Sequence, residues 1–123
     1  MEHKTATGTI ETLIEARKNK DFELAFSCYE KDASIVLQPG QTEKGEEVIR
    51  SFIKQVSSLA LTFGEHVFVE TDGIALHLSK YMLDMGENGV INGRTADVLR
   101  RQPDGTWLVA IDNAWAGNDS SEN

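Results

Sequence analysis

Between Thr9 and Arg17 apolar side chains return every three or four positions, at Ile10, Leu13 and Ile14, with Arg17 next in the same stripe. This spacing predicts a first helix, with Thr9 placed to cap its start. After Lys18-Asn19-Lys20, Asp21 is placed to cap a second, short helix whose apolar residues are Phe22, Ala25, Phe26 and Tyr29. Ala33-Ser34-Ile35-Val36-Leu37 is short, rich in β-branched residues and stopped by Pro39-Gly40, which predicts a strand followed by a loop. From Gly45 to Ser57 the helical period returns, and Val48, Ile49, Phe52, Ile53 and Val56 form one stripe on an otherwise polar cylinder.

From about Leu61 the period becomes strand-like. Three turn signals, Thr71-Asp72-Gly73, Gly86-Glu87-Asn88-Gly89 and Pro103-Asp104-Gly105, cut the remainder into four runs. Asp-Gly and Asn-Gly supply the positive φ angles that tight hairpins require. Leu61–Glu70, Ile74–Met85, Val90–Gln102 and Thr106–Trp115 are therefore expected to form an antiparallel meander. The order helix, helix, strand, helix, then four strands segregates helices from sheet, which is the α+β pattern and not the alternation of a doubly wound nucleotide fold. Neither a G-x-G-x-x-G sequence nor a P-loop is present.

The 123 residues suit a single domain, expected over residues 1–117, with the polar, acidic residues 118–123 as an unstructured tail. A net charge of −8 argues against nucleic-acid partners, because Arg100-Arg101 is too short a basic patch to offset it. No apolar run reaches the roughly 20 residues that span a bilayer, so no membrane association is expected. Met1 to Thr5 lacks the apolar stretch of a secretory leader, which makes a cytoplasmic address the expectation. Cys28, the only cysteine, falls between apolar neighbours and reads as a buried thiol. The three histidines are scattered and no pair has i,i+4 spacing, so neither a metal nor another cofactor is expected.

Four segments carry a family resemblance: Asn19-Lys20-Asp21-Phe22, Tyr29-Glu30-Lys31-Asp32-Ala33-Ser34, Gly45-Glu46-Glu47-Val48-Ile49, and Asp97 through Trp107. In this order and spacing the chain resembles the nuclear transport factor 2-like superfamily, which includes ketosteroid isomerases and SnoaL-like polyketide cyclases. Its ending, Trp107 to Trp115, resembles the domain of unknown function 4440 type. The resemblance implies a cone-shaped, cystatin-like α+β fold, with three N-terminal helices packed on a strongly curved antiparallel sheet around an open-ended cavity. It also implies a homodimer paired through the outer sheet face. Carried over residue by residue, the isomerase general base falls on Leu37 and the tyrosine donor on about Leu13, neither of which can do that chemistry. Only the second oxyanion donor has a counterpart, Asp97.

The residues themselves nominate a small set of candidates. Asp97 lies mid-strand among Thr95, Ala96, Val98 and Leu99, either as an acid-base group or paired with Arg94 or Arg100. His77 shares a strand face with Ala75, Ser79 and Tyr81 and suits proton transfer, although a strand histidine also serves as a structural hydrogen-bonding group. His66 is open to the same two readings. Asn113 shares parity with Val109 and Trp115 and reads as a polar contact in an apolar site or as an interface amide. With Asp97 and His77 as catalytic candidates, the ligand-contact candidates are Asn113, Tyr81, Trp115, Leu37 and Leu13. Two functions remain open. One is an enzyme of isomerase, cyclase or hydrolase type acting on a small apolar or amphipathic molecule. The other is a non-catalytic ligand-binding or dimeric interaction module.

Overall fold

A computed structural model describes residues 3–118. The described residues form three α-helices, α1 (Ala6–Lys18), α2 (Phe22–Ser27) and α3 (Glu46–Ser57), the third lying between the second and third strands of the chain. The strands are β1 (Tyr29–Gln38), β2 (Gln41–Lys44), β3 (Leu61–Thr71), β4 (Ile74–Asp84), β5 (Val90–Arg101), β6 (Trp107–Asn113) and β7 (Gly117–Asn118). They form a curved, open sheet in the order β2-β1-β6-β5-β4-β3, with β7 added to β5. The helices pack on its concave side. Neighbours are antiparallel except β1 and β6, which run parallel and bring the two halves of the chain together.

Local chemistry explains most element ends. Helix α1 begins one turn before the expected position: Thr5, not Thr9, is the cap, and its Oγ1 accepts from the Gly8 backbone N–H at 2.9 Å. Thr9 is instead fully buried, donating its hydroxyl to the Trp107 carbonyl at 2.6 Å and so tying α1 to β6. Asp21 caps α2 by accepting from Leu24 N–H at 3.2 Å. Gly45 precedes α3 with φ of 112°, a conformation that disfavours any side chain, and Glu46 and Glu47 follow in the first turn where the helix dipole favours acids.

The four-strand meander forms with the expected hairpins, and Asp72 and Gly73 both adopt positive φ in the first of them. Two further features depart from the sequence pattern. Strand β1 starts at Tyr29 and folds back through Gly40 into β2, a hairpin whose exposed edge carries no apolar alternation to signal it. Gly117-Asn118, expected near the fraying end, pairs with Gly93-Arg94 of β5; residues 119–123, the rest of the proposed tail, lie outside the described residues.

The core lies between the helices and the concave sheet face. Ile10 and Leu13 of α1, Ile49 and Ile53 of α3, Ile35 of β1, Leu99 of β5 and Val109 of β6 are all buried there. Only Ile49 and Ile53 of the α3 stripe are fully enclosed; Phe52 and Val56 are partly open and face a cavity. Cys28 is buried at the end of α2. Among the described residues no helix is long and apolar enough to cross a membrane.

Candidate functional site

The cavity under the helices has a volume of about 470 Å³. Its walls are mainly apolar, with Ile10 and Ile14 from α1, Phe52 and Val56 from α3, and Leu61 and Leu83 from the sheet. Polar groups of the sheet, joined by Arg17 of α1, form two clusters at the cavity wall.

The first cluster centres on Asp97. Residues Asp97 and His77 are direct cross-strand partners, so their side chains leave β5 and β4 on the same concave face. His77 Nδ1 is 2.8 Å from Asp97 Oδ2, while Asp97 Oδ1 accepts from Asn113 N–H at 2.9 Å and from the Thr95 hydroxyl at 2.8 Å. Each of these partners can donate, the environment of a carboxylate acceptor. Arg100, one candidate partner of Asp97, pairs instead with Glu30 at 2.7 Å. On the far side of His77, its Nε2 is 2.8 Å from His66 Nδ1. A bulge between Phe63 and His66 turns His66 to the concave face, where it stacks on His77 with ring centres 5.0 Å apart. Burial, and then the neighbouring His77, lower the pKa of His66.

The second cluster joins Arg17, Tyr29 and Asp112. Arg17 Nη2 donates to the Tyr29 hydroxyl oxygen at 2.6 Å and to Asp112 Oδ2 at 3.1 Å, and the Tyr29 hydroxyl donates to the same Oδ2 at 2.6 Å. Burial works against the charge of Arg17, but Tyr29, Asp112 and Asp97 outweigh it and hold the guanidinium protonated. Burial also raises the Tyr29 phenol well above its ordinary range. Asp112 is pushed up to about 6, first by burial and then by the charge of Asp97, against the pull of Arg17 and Tyr29.

Of the residues nominated from sequence, Asp97, His77, Tyr81, Trp115, Leu37 and Leu13 all border this cavity. Asn113 does not. The register of β5 with β6 passes from Leu99–Val109 to Val98–Ile111, so β6 holds one extra residue, at Ala110. Parity inverts past that bulge: Ile111 turns outward and Asp112 turns in, while Asn113 Oδ1 accepts from Trp115 N–H at 3.0 Å. Asn113 serves the site through its backbone N–H to Asp97. Arg17, Tyr29, Thr95 and Asp112 were missed as site residues. Two signals pointed to Arg17 and Asp112: a cation within the apolar stripe of α1, and an acid that interrupts the apolar run of β6.

Tyr81 borders the cavity and donates to the Ala114 carbonyl at 2.9 Å, its ring lying against Gly93. A Cβ at Gly93 would stand 2.5 Å from the Tyr81 ring. Gly93→Ala should therefore displace Tyr81 and cost about 1–3 kcal/mol, read from urea unfolding. A change within about 0.3 kcal/mol would mean that the ring is not held there.

Neither a family model nor a curated protein matches the sequence. Solved structures match it in fold. A candidate ketosteroid isomerase from Shewanella frigidimarina superposes with a TM-score of 0.76 at 18% identity, over 88% of this chain and 93% of that one. A nuclear transport factor 2-like protein of unknown function from Pseudomonas putida gives 0.72 at 17% identity, over 93% and 85%. A protein from Catenulispora acidiphila in complex with S-DNPA gives 0.66 at 18% identity, over 86% of each chain. The chain thus has the nuclear transport factor 2-like fold, helices on a curved open sheet around a cavity.

Proposed function

We propose that the protein takes a small, largely apolar molecule into the cavity and moves a proton on it, with Asp112 as the acid-base group. The observation that carries this reading is a carboxyl buried on the wall of an apolar cavity, where burial and then the charge of Asp97 push its pKa up to about 6. Such a group changes protonation near neutral pH where little water competes. Both bonds to Asp112 fall on Oδ2, which leaves Oδ1 as the oxygen to meet a ligand. The oxygens of Asp97 both carry donors, so Asp97 and His77 act by setting the charge beside Asp112 instead of exchanging a proton with the ligand directly. Leu13, Leu37, Tyr81 and Trp115 supply the apolar contact surface. The likeness of the fold to a candidate ketosteroid isomerase, and to a protein holding S-DNPA, supports small-molecule chemistry of this kind.

The test is deuterium incorporation from D₂O into a panel of small cyclic ketones, followed by NMR, alongside ligand-dependent melting. Incorporation that falls by roughly 100-fold or more in Asp112→Asn is expected. Ligands that raise the melting temperature of both proteins with no incorporation in either would favour the non-catalytic binding module.

The outer sheet face bears the exposed apolar residues Val67, Val69, Leu78 and Met82, which favours a homodimer paired through that face. Sedimentation as a monomer at micromolar concentration would count against it.

A further inference from the structure

We propose that His66 is the port through which protons pass between solvent and the cavity wall. An apolar cavity filled by an apolar ligand leaves little room for water, so a change of protonation at His77 on its sheet wall needs a path through side chains. Asp97 and His77 are buried, 6% and 2% exposed, and apart from His66 they reach solvent only through the cavity that they border. The ring of His66 is only partly buried, on β3, the edge strand of the sheet.

The hydrogen bonds fix the direction of transfer. Asp97 can only accept along this chain, so the proton of neutral His77 sits on Nδ1, and its Nε2 accepts from His66 Nδ1–H. That places the lone pair of His66 on its outer nitrogen, Nε2. A proton taken up there releases the Nδ1 proton of His66 to His77 Nε2. His77 becomes an imidazolium paired with Asp97, and His66 is left neutral with its proton on the outer nitrogen. One proton has entered at His66 and one has passed from His66 to His77, and the reverse sequence exports one.

The surroundings suit the role. Phe68 lies against His77, with ring centres 4.9 Å apart, and Phe63 against His66 at 5.7 Å, so apolar rings flank the relay. Glu11 of α1 and Asp97 of β5 favour a proton on His66, while burial and His77 of β4 oppose it. The opposition keeps His66 from holding the proton, which a port requires. Arrival of the proton at His77 neutralises the charge of Asp97 that pushes Asp112 upward. The relay therefore couples the outer ring to the acid-base group of the cavity. Its use in turnover rests on the proton-transfer reading above, but its existence is tested without any ligand.

The experiment is ¹⁵N NMR on the ligand-free full chain, measuring by relaxation dispersion how fast His77 Nε2 gains and loses a proton. In His66→Gln, an amide keeps the donor to His77 Nε2 but cannot pass a proton on. Exchange slower by roughly tenfold or more is expected. In His66→Ala, added imidazole should accelerate the exchange in proportion to its concentration, which a merely structural role for His66 would not produce. Exchange in His66→Gln as fast as in the unaltered protein overturns the proposal. If that variant does not fold, the absence of any imidazole response in His66→Ala overturns it equally. Loss of turnover in Asp112→Asn with the exchange unchanged would separate the two readings.

Discussion

Asp112→Leu should remove about 3–5 kcal/mol of stability at pH 7.5, because it leaves the guanidinium of Arg17 buried without its carboxylate. The two side chains are only 14% and 9% exposed, so water is a poor substitute for the lost partner. Urea unfolding checks the figure, and a loss below about 1 kcal/mol would show that Arg17 finds another partner. The double variant Arg17→Met with Asp112→Leu should recover much of the loss, since the unpaired charge is then gone. Acid-base linkage gives the same residue a second signature. Asp112 rises from 3.8 to about 6 on folding, so the folded chain holds that proton more tightly than the unfolded one. Its contribution is complete below about pH 4 and lost as the pH rises through about 6, a difference of about 3 kcal/mol. Glu23 and Glu30, whose pKa values are lowered by Arg50 and Arg100, act in the opposite sense. The comparison that isolates Asp112 is therefore the stability of the unaltered protein minus that of Asp112→Asn. This difference should fall with pH, and a flat difference from pH 4 to 7 would contradict the raised value.

Ile53→Ala should cost about 2–5 kcal/mol, the ordinary range for emptying a closed core position. Ile53 is 1% exposed and sits one turn beyond Ile49, so these two residues fasten α3 to the sheet. Phe52, the next residue on the stripe, borders the cavity. Phe52→Ala should cost less and instead enlarge the cavity, shifting the preferred ligand towards larger molecules in a melting screen. Equal losses from the two variants would mean that α3 is held by both faces alike.

These contrasts also show what the amino-acid pattern could reveal. The helices and the meander were legible because each carries its own period and its own turn residues, as the α3 stripe and Asp72-Gly73 do. The hairpin of β1 with β2 was not, since an exposed edge strand such as Gln41–Lys44 needs no apolar alternation. The site was legible in part. Asp97 and His77 stood out as polar groups within apolar strands, and the structure sets them opposite each other. Asp112 was concealed by a single extra residue in β6, because parity arguments hold only while the register runs without a bulge. Arg17 and Tyr29 are distant in sequence from Asp112, and only the parallel pairing of β1 with β6 brings Tyr29 to that wall.

That parallel pair also bears on the order of assembly. Strand β1 lies early in the chain and β6 near its end, and the Thr9 hydroxyl reaches a carbonyl 98 residues away. The N-terminal helices therefore have no finished surface to dock on until the last long strand has been made. During synthesis the antiparallel β3-β4-β5 meander can pair by itself, while α1 and β1 wait for β6. Closure of that long loop is a slow step that local contacts do not shorten. A chain halted before Trp107 would keep its helices exposed, a substrate for chaperones and not a smaller version of the domain.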